Sequence, residues 1–237
     1  MKPLSRVAFI GNHLPRRCGI ATFTHDLHRA VAMARPGLET CVAAMNDPGG
    51  TYDYPAAVRF QIQEETIDAY ADAADALNAA RFDVVSLQHE YGIFGGEAGA
   101  HIIELLNGLT MPIVTTLHTV LPAPTPAQHS AMSKIIARST KLVVMAEKGR
   151  ELLRSVHNVP AQKIEVIPHG IPDFPFLETH HAKTKFGFNG RTVILTFGLL
   201  SPSKGIETVI DAMPAIVESC PNVRMTVLPL NPNFVLA

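Results

Sequence analysis

Five short stretches of this sequence combine histidine, arginine, glycine and lysine in ways that could bind an anion or move a proton. Residues 11–27, GNHLPRRCGIATFTHDL, place Gly11, Arg16, Arg17 and Gly19 just ahead of an apolar periodic run. Glycine lets a ligand approach the backbone, and a helix start favours negative charge. Residues 88–99, QHEYGIFGGEAG, carry His89 and Glu90, a pair able to act as acid, base or binding group, or to be hydrogen-bonded structure. In TTLHTVLPAPTP, residues 115–126, His118 follows a strand-like run and is the best placed for chemistry of the eleven histidines. His169 and Gly170 lie in VIPHGIPD, residues 166–173. In FGLLSPSKGIE, residues 197–207, Lys204 stands at a helix start, where its ammonium and the free N–H groups could share a diphosphate. Each stretch also has a plain structural reading: a surface arginine pair, a satisfied histidine, or a capping turn with Ser201 or Ser203 as cap.

What positions these residues is a repeating pattern. Apolar runs at 7–10, 40–45, 58–62, 84–88, 113–117, 142–145 and 164–167 alternate with helical periodicity at 22–33, 66–80, 97–106, 126–137 and 147–156. That rhythm predicts βα units in one doubly wound parallel sheet, the α/β class. In such a sheet ligands bind beyond the carboxyl ends of the strands, and each of the five stretches follows a strand. After residue 167 the periodicity lapses through a stretch rich in proline and glycine, then resumes with a strand at 192–197, a helix at 205–217 and a strand at 223–228. The expected division is a first domain over 1–175, a hinge over 176–191 and a second domain over 192–237. Two strands and one helix cannot enclose a core, so the second domain is expected to be incomplete as written.

Composition narrows the function classes. The 237 residues are 47% apolar, enough for a sizeable core, and 20 basic against 21 acidic side chains leave a charge of −1. Neither nucleic acid nor an anionic membrane is an expected partner, so any anion site is local. Three scattered cysteines without a CxxC pair point to a reducing compartment and away from zinc. A short apolar run at the N-terminus and no apolar stretch long enough to span a bilayer point to the cytoplasm. Gly11 and Gly19 are eight apart, so the first loop is no GxGxxG, and YxxxK is absent; both disfavour a nicotinamide oxidoreductase or epimerase.

Taken in order, FIGNHLPRRCGIATFTHDL, LQHEYGIFGGEAG, TTLHTVL, KIEVIPHGIPD and ILTFGLLSPSKGIETVIDA resemble the retaining glycosyltransferases of family 4, with the GT-B fold, from Arg6 to about Val227. The resemblance implies two Rossmann-like domains, the first mostly for acceptor and the second, of which this chain holds the first βαβ unit, mostly for donor. It implies a nucleotide-sugar co-substrate, a carbohydrate or lipid acceptor, and neither a cofactor nor a metal in the site. By resemblance Gly19 and Gly170 approach the donor diphosphate, His118 contacts the donor sugar near the reacting carbon, and Lys204 neutralises the leaving diphosphate. Arg16, Arg17, His89, Glu90 and His169 are candidate acceptor or donor contacts. Two departures stand out: Gly198-Leu199-Leu200 replaces the family's frequent Gly-Arg-Leu, and the family's paired donor-site glutamates, which lie later in the second domain, have no counterpart. The closing NPNFVLA does not form the expected glycine loop, so truncation or a reading-frame change, and impaired activity, are expected. The alternative is a non-catalytic sugar- or phosphate-binding module or a protein-interaction fragment; oligomeric state is left open.

Overall fold

A computed structural model describes residues 3–171, 173, 175–198, 200 and 204–229. Contacts divide the chain into two compact units, residues 1–170 and 171–237.

The first unit is a seven-stranded parallel sheet. Strands β1 (Arg6–Gly11), β2 (Glu39–Asn46), β3 (Val58–Gln63), β4 (Val84–His89), β5 (Ile113–Leu117), β6 (Lys141–Val144) and β7 (Ile164–Val166) lie in the order β3-β2-β1-β4-β5-β6-β7. Each expected run forms a strand. Between them run helices α1 (Gly19–Ala34), α2 (Ile67–Ala79), α3 (Ile102–Gly108), α4 (Pro126–Arg138) and α5 (Glu147–His157). Residues Cys41 to Met45 of β2 are all fully buried, as a parallel strand covered on both faces requires. Ala8, Ile10, Val85 and Leu87 pack under α2 and α3, while Val7, Phe9, Val42 and Ala44 pack under Leu27 and Val31 of α1. Leu117, Leu142, Val144 and Ile164 extend the core to Met132 of α4 and Leu153 of α5.

Local chemistry sets the element ends. Thr125 and Gln128 form a reciprocal capping box at α4, with Pro126 at its first position. Asn158 closes α5 in the left-handed conformation at φ 54°. The expected helix over 97–106 is broken instead: Glu97–Gly99 is a single 3-10 turn, and α3 begins only at Ile102. Close packing explains the break. A Cβ on Gly95 would lie 2.0 Å from the Glu64 carbonyl oxygen, and Gly96 takes φ +77° against the His101 ring, so Gly95-Gly96 serve a tight passage rather than a helix start.

The second unit has a seven-residue helix, α6 (Thr179–Lys185), inside the stretch expected as a hinge. There follow β8 (Thr192–Gly198), α7 (Ile206–Ser219) and β9 (Val223–Pro229), with β8 and β9 paired in parallel. Among its described apolar side chains only Val223 is buried, and Leu195, Phe197 and Ile210 are each more than half exposed. The expected caps Ser201 and Ser203, Leu199 and the closing residues 231–237 lie outside the described residues. No described helix is long and apolar enough to cross a membrane.

Candidate functional site

The strand order reverses between β1 and β4, so their carboxyl ends flank the crevice where an open α/β sheet binds ligands. Gly11 ends β1 in that crevice. A Cβ there would sit 3.0 Å from Gln88 Cβ and 3.2 Å from Thr24 Oγ1. Its missing side chain lets the ends of β1 and β4 and the first turns of α1 draw together.

The loop from β1 to α1 is held from within. Arg16 Nη1 donates to Asn12 Oδ1 at 2.7 Å, and Nη2 donates to Glu64 Oε2 at 3.3 Å and also pairs with Asp47. Its side chain is only 13% exposed, and two carboxylates already neutralise it. Its first task is therefore to clamp the loop to the ends of β2 and β3. Tyr52 adds its hydroxyl to Asp47. An open depression of about 410 Å³ lies here, lined by Pro15, Arg16, Arg17, Cys18, Asp47 and Tyr52. Cys18 caps α1: its Sγ accepts from Ala21 N at 3.3 Å and its carbonyl from Thr22 N at 3.2 Å. The N–H groups of Gly19 and Ile20 then have no acceptor within the helix. Gly19 is exposed, with nothing within 4 Å of where its Cβ would be.

His118 stands at the mouth of β5 and meets α1 through Phe23. The two rings are perpendicular with centroids 4.6 Å apart, and His169 meets the same Phe23 ring at 5.2 Å and 73°. One aromatic side chain thus joins two expected site residues from different loops. His118 Nε2 is hydrogen-bonded to Gln88 Oε1 at 3.3 Å, and its backbone N–H donates to the His89 carbonyl at 3.0 Å. Burial, reinforced by the neighbouring His169, pushes His118 down to about 4, so it is neutral at physiological pH. Gly170 is exposed with open space at its Cβ position, and its carbonyl accepts from His169 Nδ1 at 2.7 Å.

The expected His89–Glu90 pair separates. His89 is 0% exposed, packed against Tyr91 at 5.1 Å and stacked on Phe94 at 5.9 Å. Burial pushes it down to about 3, and neither ring nitrogen has a partner among the described residues. The ring is enclosed by Tyr91 and Phe94 at the end of β4. Glu90 is a cross-brace: Oε1 accepts from Tyr91 N at 3.0 Å and Oε2 from Thr119 Oγ1 at 2.5 Å, tying the β4 loop to the residue after His118. Lys204, in the second unit, is exposed and stands two residues before α7, beside Gly205 in the left-handed conformation at φ 60°. Among the described residues no group of three or more His, Cys, Asp or Glu could hold a metal ion.

Sequence reasoning missed Phe23, Gln88, Asp47 and Tyr52. Gln88 left a signal, a polar residue inside the apolar run VVSLQH. Phe23 left none, since an aromatic residue in an amphipathic helix reads as core.

A family model described as Glycosyltransferase Family 4 matches residues 18–173, and the chain belongs to that family. Comparison with curated proteins gives no match. Among solved structures the chain is similar to a glycosyltransferase from Rickettsia africae (TM-score 0.62, 12% identity, 96% of this chain and 69% of that one). It is similar to Anabaena HepE in complex with UDP and glucose (TM-score 0.62, 13% identity, 94% and 60%). A third is MnaA of S. aureus with UDP (TM-score 0.57, 10% identity, 97% and 64%). These likenesses show the GT-B glycosyltransferase fold, and the chain spans less than two thirds of the HepE and MnaA chains, 60% and 64%.

Proposed function

We propose that this chain serves a retaining glycosyltransferase that moves a sugar from a nucleoside diphosphate to an acceptor hydroxyl. The observation that carries the reading is the family match over 18–173, which spans the crevice where His118, Phe23 and His169 meet. The reaction breaks the bond between the anomeric carbon and the diphosphate oxygen and forms one to the acceptor oxygen on the same face. The acceptor's proton leaves with the diphosphate or to water. Negative charge grows on the leaving group, and what accelerates the step is a fixed set of positive and N–H groups around it. In this reading the exposed Gly19, with its free N–H at the start of α1, approaches the diphosphate, and Gly170 flanks it. His118 meets the donor sugar, and Lys204 neutralises the leaving diphosphate through its place in the SPSKGIE stretch.

The depression beside Arg17, Asp47 and Tyr52 suits a hydroxylated acceptor, since it offers an aromatic ring and a carboxylate already oriented by Arg16. His169, which shares the Phe23 ring with His118, is assigned to the same donor or acceptor contacts. The free thiols Cys18, Cys41 and Cys220 fit work in a reducing, cytoplasmic setting.

Hydrolysis and transfer assays with UDP-, GDP- and ADP-sugars test the reading. Sugar release that falls about tenfold or more in His118→Ala, the loss of one hydrogen bond made in the transition state, supports the transferase. Lys204→Ala is expected to weaken donor binding. Binding without sugar release contradicts the transferase, and unchanged rate and affinity in the two variants overturn their assigned roles.

A further inference from the structure

His118 has two ring nitrogens, and which one carries the proton decides what it can recognise. Gln88 is fully buried at the end of β4. Its amide nitrogen donates to Ser86 Oγ at 3.1 Å, which leaves its oxygen facing His118 Nε2 at 3.3 Å. With the Gln88 amide in this orientation, its nitrogen on Ser86 and its oxygen on the ring, His118 Nε2 is the nitrogen that bears hydrogen, since a carbonyl oxygen only accepts. Among the described residues the other ring nitrogen, Nδ1, has no hydrogen-bond partner. The arrangement is rigid: Gly11 admits Gln88 by lacking a Cβ, and the edge-on Phe23 ring fixes the imidazole plane.

We propose that Gln88 is a positioning residue that holds His118 as the Nε2–H tautomer with its Nδ1 lone pair free for a ligand, so that His118 accepts from a sugar hydroxyl and makes no bond to a phosphate oxygen. Phosphate oxygens near neutral pH offer lone pairs, and a bare Nδ1 has no hydrogen to give them. The second clause rests on the glycosyltransferase reading; the tautomer does not. The titratable groups around the ring are His169 across Phe23, the buried His89 behind its backbone, and Glu90, held by Thr119. Burial of the ring, with His169 beside it, keeps the neutral form through the physiological range.

Selective ¹⁵N-histidine labelling of the full chain, with the His118 signals assigned from His118→Gln, reads the tautomer directly. The expected spectrum at neutral pH shows protonated Nε2 and bare Nδ1. Protonated Nδ1, or an imidazolium, overturns the proposal. Gln88→Glu keeps an acceptor at Nε2 and adds charge, so the tautomer persists while the His118 titration rises by about one pH unit or more; an unmoved titration contradicts contact between the two residues. Gln88→Leu removes the acceptor and is expected to give a mixture of tautomers, and an unchanged spectrum denies Gln88 its role. Should the leucine variant fail to fold, the wild-type and glutamate spectra decide. UDP-glucose is expected to shift Nδ1 where UDP alone does not. An equal shift with UDP overturns the hydroxyl assignment. Failure of UDP-, GDP- and ADP-sugars alike to bind contradicts the glycosyltransferase reading and leaves the tautomer result standing.

Discussion

A histidine sealed from water titrates far below its ordinary range, and His89 carries that cost into the folding equilibrium. Its folded value is about 3 against a reference of 6.5, so between those limits the unfolded chain binds the extra proton. Stability is therefore whole above the unfolded value and is lost as pH falls through that window, by about 1.4 kcal/mol per pH unit for one such group. His118, lowered to about 4, and the lowered His13, His28 and His157 act in the same direction. His89→Leu removes both the titration and two buried ring nitrogens without partners. Denaturant melts across mildly acid pH are expected to show a flatter pH dependence for the variant. Equal slopes in the two proteins would place the acid sensitivity elsewhere. At this scale the sequence was least informative. Nothing adjacent to Arg16 announces that Asp47 and Glu64 neutralise it, and nothing adjacent to His118 announces Phe23, because both pairings exist only once the strands are side by side.

The elements were far more legible, for a physical reason. A parallel strand buried on both faces is apolar along its middle, so β1 with VAFI and β2 with CVAAM stand out from the polar loops that follow them, and those loops fall where the sheet binds ligands. The exceptions are backbone events that periodicity does not register. Apolar spacing continues across 97–106, yet the chain turns there because Gly95 is wedged against β3: its N–H donates to Tyr70 Oη at 3.0 Å, and Tyr70 in turn donates to the Glu64 carbonyl at 2.7 Å. Gly95→Ala would bring a Cβ to 2.0 Å from that carbonyl. It is expected to cost roughly 2 kcal/mol or more by the mechanism of forced backbone displacement. Gly92→Ala, with nothing within 4 Å of its Cβ position, is the matched control and should cost about 1 kcal/mol or less. Equal melting temperatures for the two variants would contradict the close-packing account. Glu64 also holds Arg16, so the same wedge steadies the loop that opens α1.

The two units differ in how much they bury. The first closes a sheet between helices on both faces. The second presents Leu195 at 55%, Phe197 at 58% and Ile210 at 54% exposure around one helix and two strands. Local opening follows buried contact, so backbone amides of β8 and β9 are expected to exchange with solvent faster than those of β1 and β4. Uniform protection across both sheets would show that something covers the second. The restart of the pattern near 192 was plain in the sequence, whereas α6 was hidden in a segment whose prolines and glycines read as hinge.

The central claim is that a chain of this family, with a neutral His118 beside the start of α1, handles a nucleotide-activated sugar. Calorimetric titration of the full chain with UDP-, GDP- and ADP-glucose, in wild type and His118→Ala, tests it most directly. The expected result is saturable binding of one of the three, tighter for the sugar nucleotide than for its nucleoside diphosphate, with that difference lost in the variant. Binding of none of them, or a preference for the sugar nucleotide that survives removal of His118, would contradict it.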